Sequence, residues 1–330
     1  MATTSTDRRI DKLIHLLVKN ATVVVPGPKI ASEIGVTRLQ VFRWIETLRS
    51  LGVKIRGVQG EGYQLVTIPD ILAPSLLRSE LGECSIGRNI VHYFRTDSTN
   101  AVALRLAAEG AEHGTVVVAE EQTAGRGRLG RTWYSEKASG IYTSIILRPP
   151  LPPAAAPVLT LMAGLAAQKA VYSTTGLATD IRWPNDLLVN GRKVCGILTE
   201  MSAELDRLHA VVLGLGMNVN HSQMPAELES IATSLRMEAH RTISRVQVLV
   251  ALLRELQRHY QWLLKNGNRA ITERWEGASS FAHGKRVRVA TPTGEAQATT
   301  TGVDPSGALK VQYDDGRQES LIAGEVMEVK

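Results

Sequence analysis

The chain has 330 residues, 44% hydrophobic and 21% charged, the balance of an ordinary globular protein with room for two or three domains. It has no run of 18 apolar residues of the kind that spans a bilayer, and its two cysteines, Cys84 and Cys195, lack the number and spacing of a disulfide framework or a metal site. The net charge of +6 is unevenly placed: residues 1–67 hold ten Lys/Arg against five Asp/Glu, so a nucleic-acid partner is to be sought there.

Met1–Asp7 has no apolar core of the signal-peptide kind, and the cytoplasm is the expected compartment. From Arg9 to Lys19, Ile10, Leu13, Ile14, Leu17 and Val18 recur at helical spacing. After Val25-Pro-Gly-Pro28, a short helix over Lys29–Ile34 stops at Gly35, and Thr37 is placed to cap a second helix with Val41, Ile45 and Leu48 inward. Helix, short glycine turn and helix make a helix-turn-helix. Val53–Val58 and Gly62–Val66, joined by Gln59-Gly-Glu-Gly62, add a hairpin wing. Thr37, Arg38, Gln40 and Arg43 are the candidate DNA-contacting residues, facing a major groove. The alternative is a winged module used only for protein contact.

Residues 68–85, with two prolines and no regular period, are expected to be a linker, with one helical turn over Leu76–Leu81. The larger domain is expected over 86–275. It opens with a strand over Asn89–Phe94 and a helix running from Ala101 to Gly110. Between them, Asp97, Ser98, Thr99 and Asn100 serve either as plain helix caps or as small donors and acceptors for a neutral polar ligand such as a cyclic urea.

The stretch Glu120–Trp133 alternates Gly125, Gly127 and Gly130 with Arg126, Arg128 and Arg131. Glycine lets backbone lie close to a ligand, and arginine offers a permanent charge and a donor fork for carboxylate or phosphate. The stretch also matches the dinucleotide pattern G-x-G-x-x-G, but it lies between Val116–Val118 and the strand-like Gly140–Leu147, whereas a Rossmann site needs a helix after the loop. An anion-binding loop is favoured, against a basic hairpin tip or nucleic-acid patch.

Pro157–Tyr172 is an Ala/Leu-rich helix. Ile181–Glu200 contains Trp183-Pro-Asn-Asp186 and the hairpin signal Asn190-Gly191. Lys193 is either a solvated lysine or an amine aimed into a site. Asp186 could pair with it or help hold a ligand or metal-bound phosphate. Ala210–Asn220 is a buried strand with close-approach glycines. Ser244–Gln247 fits a capping box before a long core helix with Val246, Leu249, Val250, Leu253, Leu256, Tyr260 and Leu264 inside. Residues 276–330 hold five short strands and two turns, a pattern expected to form an SH3-like β-barrel.

Taken in order, Ser98-Thr99-Asn100, Gln122, Gly125-Arg-Gly-Arg-Leu-Gly-Arg131, Trp183-Pro-Asn-Asp186, Lys193-Val-Cys-Gly196 and Gly214-Leu-Gly-Met-Asn218 resemble the biotin–protein ligase family. With the basic amino-terminal module, the chain resembles its bifunctional members, which combine biotin ligase and biotin operon repressor. The resemblance covers essentially the whole chain. It implies an α+β architecture: a winged helix-turn-helix, a central mixed-sheet α/β ligase domain and a carboxy-terminal SH3-like β-barrel. It also implies formation of biotinoyl-5′-AMP from biotin and ATP with Mg2+, then transfer to a lysine of the biotin carboxyl carrier protein of acetyl-CoA carboxylase.

By the same resemblance, Arg126, Arg128, Lys193 and Asp186 carry the chemistry. Ser98, Thr99, Asn100, Gln122, Arg126, Gly127, Arg128 and Lys193 bind biotin. Gly125, Arg128, Arg131, Trp133, Asn185, Asp186 and Asn218 bind ATP or the adenylate, and no resident metal site is expected. Operator DNA and a ligand-bound homodimer are the implied partners, with no membrane. The carboxy-terminal unit would help hold ATP and the carrier, the alternative being a passive cap. Leu129 and Cys195 stand where Arg and a smaller residue are found in relatives. Two further readings compete: a ligand-sensing repressor without ligase turnover, and a lipoate–protein ligase.

Overall fold

The computed structural model describes residues 8–203, 208–291, 294–322 and 324–329. Met1–Asp7, discussed above for its lack of a signal core, lies outside them. The amino-terminal unit contains α1 (Arg8–Lys19), α2 (Gly27–Ile34) and α3 (Arg38–Ser50), then the antiparallel hairpin of β1 (Ile55–Val58) and β2 (Gly62–Leu65). Gly35 closes α2 in the left-handed conformation. The Thr37 hydroxyl caps α3 by accepting from the Gln40 amide at 3.2 Å. Leu13, Ile30, Ile45 and Leu65 meet in a separate core.

The expected linker is instead a rivet between two cores. It contains α4 (Pro74–Leu81), a complete two-turn helix. Ile71, Ala73 and Leu76 enter the winged-helix core, while Leu72, Leu77 and Leu81 enter the core of the larger domain. Pro74 starts the helix rather than breaking it, because the first turn has no use for its missing N–H.

The central sheet has seven strands in the order β3-β4-β5-β9-β8-β7-β6. They are β3 (Ile90–Tyr93), β4 (Thr115–Ala119), β5 (Gly140–Leu147), β6 (Asp180–Arg182), β7 (Asp186–Val189), β8 (Arg192–Ala203) and β9 (Leu208–Asn218). β3 and β4 are parallel, joined through α5 (Thr99–Ala108), and all other pairings are antiparallel. Alternation along the strands divides the sheet between two faces. Val117, Ala119, Ile146 and Val212 pack on α5, and Val116, Val118, Ile145 and Leu213 belong to the main core.

That main core includes α6 (Ala156–Thr175) and α8 (Arg245–Glu276). Among the described residues, one helical stretch, Pro153–Thr175, is long and apolar enough to cross a membrane. It is largely buried within the protein. A short α7 (Leu235–Ala239) precedes α8. On α8, Leu264 is exposed rather than inward, and Val246 is only partly covered. The last strands, β10 (His283–Thr291), β11 (Gly294–Val303), β12 (Leu309–Tyr313), β13 (Gln318–Leu321) and β14 (Val326–Glu328), form one antiparallel sheet in the order β13-β12-β11-β10-β14. Among the described residues its end strands do not pair, so it is described as a sheet rather than a closed barrel. Val287, Leu309 and Val311 belong to the same apolar cluster as the sheet and α8.

A buried ion network joins these parts. The Arg245 side chain is 2% exposed and contacts Asp70 at 3.1 Å and the wholly buried Glu120 at 2.8 Å. It also donates to the carbonyls of Gly140 and Asp70. Glu120 receives the Leu72 amide at 2.7 Å and contacts His92 at 3.2 Å. Burial pushes the Glu120 carboxyl up, but Arg245 and His92 overcome this and hold it at about 2, below its ordinary 4.5.

Removing one member of a buried pair leaves the other charge without compensation, at a cost of about 3–5 kcal/mol. Arg245→Met is expected to lose stability of that order in denaturant unfolding at pH 7. Because Glu120 is depressed when folded, its contribution is fully present above pH 4.5 and lost as pH falls towards 2. In Glu120→Gln that part of the acid sensitivity should vanish, and an unchanged pH profile would contradict the assignment.

Candidate active site

The loop leaving β4 and the strands β5, β7, β8 and β9 enclose a cavity of about 800 Å³, the size of a site for a small organic ligand. Ser98, Thr99, Asn100, Gln122, Arg126, Gly127, Arg128, Arg131, Trp133, Asn185, Asp186, Lys193 and Asn218 all line it. Gly125 does not. It lies beneath the loop, where a Cβ would come within 2.7 Å of the Trp133 carbonyl and 2.8 Å of Ser135 Oγ.

Ser98, Thr99 and Asn100 are not ordinary caps. All three are buried, and Ser98 occupies the N-cap position of α5 without a side-chain capping bond. Gln122 Oε1 accepts from the Thr99 amide at 2.8 Å and from its hydroxyl at 3.1 Å. Gln122 Nε2 donates to Ser135 Oγ at 3.0 Å. The Ser144 hydroxyl donates to Asn100 Oδ1 at 2.5 Å, and Asn100 Nδ2 donates to Glu200 Oε2 at 2.7 Å. A buried polar cluster in which Thr99, Asn100 and Gln122 are each oriented by a neighbour is suited to reading a fixed pattern of donors and acceptors. Gly214 is needed beside it, because a Cβ there would sit 2.0 Å from Asn100 Oδ1.

Trp133 lies against the sheet where Gly196 and Gly216 leave room, and a Cβ at Gly216 would come within 2.4 Å of the indole. The Lys193 amine lies 5.4 Å from the centre of the Trp133 ring. Asn190 and Gly191 turn the β7–β8 hairpin with φ of 50° and 76°, the doubly left-handed turn expected of that dipeptide. The hairpin brings Lys193 Nζ within 2.5 Å of Asp186 Oδ1, and Arg182 Nη2 lies 2.6 Å from the other carboxylate oxygen. A single carboxylate thus holds two cations at the cavity wall. The Trp183–Pro184 peptide is cis. The Trp183 indole donates to the Gly307 carbonyl of the carboxy-terminal sheet unit at 3.0 Å, fixing this wall from behind. Asn218 donates to the Thr233 carbonyl at 3.1 Å, tying β9 to the loop beyond it.

The arginine loop is folded on itself by Gly127 N to Arg131 O at 2.7 Å and Trp133 N to Gly125 O at 2.9 Å. Leu129 takes a positive φ of 54° and is 74% exposed at the tip. Each arginine has a different anchor. Arg126 lies 3.7 Å from Glu200. Arg128 donates to Asn185 Oδ1 at 3.2 Å and to the Gly324 carbonyl at 3.0 Å. Arg131 makes a bidentate pair with Glu325 at 2.5 and 2.8 Å. Burial pulls Arg128 below its ordinary value, against the pull of Glu325 and Asp186. A guanidinium keeps its charge even so, and its partial dehydration favours an incoming anion. Cys195 is wholly buried, and burial pushes its thiol up to about 12, so it acts as packing.

Sequence reasoning missed Glu200, Glu325, Ser144 and Arg182. The two glutamates carry no local motif, and Glu325 reaches the site only because the carboxy-terminal sheet folds back over it. On α3, Arg38, Gln40 and Arg43 are exposed, as a DNA-facing role requires.

Exposed ion pairs contribute little to global stability, so Glu325→Gln should leave the melting temperature nearly unchanged while loosening the loop. Trypsin cleavage at Arg126, Arg128 or Arg131 should accelerate several-fold. Equal cleavage rates in the two proteins would mean that Glu325 does not latch the loop.

Comparison with known proteins places this geometry. The model of the Biotin/lipoate A/B protein ligase family matches residues 93–218, that of the Biotin protein ligase C terminal domain residues 282–327, and an HTH domain residues 9–64. The chain is 37% identical to the bifunctional ligase/repressor BirA of Bacillus subtilis (strain 168) over 92% of its own length and 94% of the relative's. It is 36% identical to the biotin–[acetyl-CoA-carboxylase] ligase of Mycobacterium tuberculosis, over 80% of this chain and 100% of the other. The structure of the biotin protein ligase from Aquifex aeolicus in complex with biotin and ATP superposes with a TM-score of 0.63 at 26% identity, covering 74% of this chain and 99% of that one. The chain belongs to the biotin–protein ligase family, with a helix-turn-helix domain ahead of the ligase domain.

Proposed function

We propose that the protein is a cytoplasmic, ATP-dependent biotin–protein ligase that also represses transcription as a ligand-bound dimer on operator DNA. The observation that carries the enzymatic reading is the convergence of Lys193, Arg126 and Arg128 on the cavity that also holds the buried Ser98–Asn100 and Gln122 cluster.

In this reading Ser98, Thr99, Asn100 and Gln122 hold the ureido ring of biotin, and Gly127 lets the loop backbone close over it. Trp133, Asn185, Asn218 and Arg131 surround the nucleotide. A biotin carboxylate oxygen attacks the α-phosphorus of ATP. The P–O bond to the β-phosphate breaks, and pyrophosphate leaves. Lys193 exchanges its contact with Asp186 for the carboxylate–phosphate junction, and Arg126 and Arg128 neutralise the charge that develops there. The residues supply positioning and fixed charge, which suits a transfer needing no covalent enzyme intermediate.

Among the described residues no cluster of three or more His, Cys, Asp or Glu side chains could hold a metal ion. Mg2+ fits as a companion of the nucleotide phosphates, with Asp186 as the nearby carboxylate; when bound it neutralises phosphate charge. In the second step the amine of a carrier lysine attacks the acyl carbon, loses its proton to solvent and displaces AMP. Loop closure protects the mixed anhydride from water until then. Two winged modules brought together by a homodimer would meet paired half-sites.

Incubation with MgATP, a biotin carrier domain and either biotin or lipoate separates the readings when the carrier is weighed. The expected result is one added biotin and no added lipoate. Tight biotin binding without carrier modification would favour a sensing repressor instead. Lys193→Ala should slow pyrophosphate release by about 100- to 1,000-fold, the usual loss on removing one charge-stabilising donor, with folding intact. An unchanged rate would remove Lys193 from the first step.

A further inference from the structure

The outward face of α3 carries two large apolar side chains that the fold does not use. Leu39 is 58% exposed and Phe42 is 49% exposed. Val41, Ile45 and Leu48 fill the inward face, and at 100° per residue Leu39 and Arg43 project directly opposite them, with Phe42 alongside. Exposed Arg38, Gln40 and Arg43 surround the pair. An apolar patch set among cations on the second helix of a helix-turn-helix complements a surface that is anionic at its edges and carries apolar groups within. The DNA major groove is such a surface, because each thymine presents its C5-methyl group there.

We propose that Leu39 and Phe42 read thymine methyl groups, so that operator recognition combines polar base contacts from Arg38, Gln40 and Arg43 with methyl contacts. This rests on the DNA-binding reading and adds to it the base whose identity the helix discriminates. Burying one methyl contributes about 0.8 kcal/mol, or about fourfold in affinity per contacted thymine.

The test uses the full chain with biotin and MgATP. A duplex is selected by the protein from a randomised pool, then synthesised either with thymine or with 2′-deoxyuridine, which lacks only the methyl. Wild type should bind the deoxyuridine duplex about fourfold more weakly for each contacted thymine, so about sixteen-fold for the two contacts of one half-site, with the same salt dependence for both. Leu39→Ala/Phe42→Ala should bind the two duplexes equally and retain that salt slope, showing that the phosphate contacts and the fold survive. Single substitutions should each remove the effect at a different thymine. Equal wild-type affinity for the two duplexes would overturn the methyl reading while leaving DNA binding intact. Failure to bind any duplex at low salt would overturn both readings.

Discussion

The connector, the arginine loop and the start of β5 are tied together by one buried ion network. Arg245 bridges Asp70 in the connector, Glu120 at the start of the arginine loop and the Gly140 carbonyl at the start of β5. The two ends of the loop are also joined directly, because Ala138 donates to the Glu120 carbonyl at 2.9 Å. A buried charge pair is costly to desolvate and costly to break, so it specifies geometry more than it adds stability. Here it fixes where a 20-residue excursion leaves and rejoins the sheet. Between these fixed ends, Arg126 and Arg131 are held by partly exposed pairs with Glu200 and Glu325, which are weak in water, and Arg128 by two neutral acceptors, Asn185 Oδ1 and the Gly324 carbonyl. Rigid roots with a weakly latched middle are what a closing flap requires.

The same network ties the amino-terminal unit to the ligase sheet. Leu72 donates to Glu120, Ser75 donates to Asp11 of α1 at 2.9 Å, and Lys137, on the returning arm of the loop, donates to Ser50 at the end of α3 at 3.1 Å. The outward face of α3 and the arginine loop are therefore mounted on one frame. Beneath the flap, the wall is built by omission: Gly196, Gly214 and Gly216 lack the Cβ atoms that would displace Trp133 or Asn100.

Much of this was legible in the sequence, because local chemistry dictated it. The Asn190-Gly191 hairpin, the Thr37 cap and the strand-forming run of β5 follow from neighbours in the chain. The pairing of Lys193 with Asp186 follows from that hairpin, which sets them on adjacent strands. The connector was misread because Pro69 and Pro74 look like breaks; burial in two cores at once, which no local pattern encodes, decided its structure. Ser98–Asn100 resembled caps until β5 and β8 supplied Ser144 and Glu200 as partners. Arg245 lies inside the Ser244–Gln247 capping box and has no local signal of its own. Its burial depends on Asp70 and Glu120 arriving from 175 and 125 residues away, contacts that sequence proximity cannot show. Glu325 was invisible for the same reason.

Closure of the arginine loop over an acyl-nucleotide, with its carboxylate–phosphate junction at the Lys193 amine, can be observed directly. Its most direct measurement is a crystal structure of the protein with biotin and a non-hydrolysable ATP analogue. Lys193 is expected to have left Asp186 for the junction, with Arg126 and Arg128 over the ligand. An occupied cavity with the loop turned outward, or both ligands bound elsewhere, would contradict it.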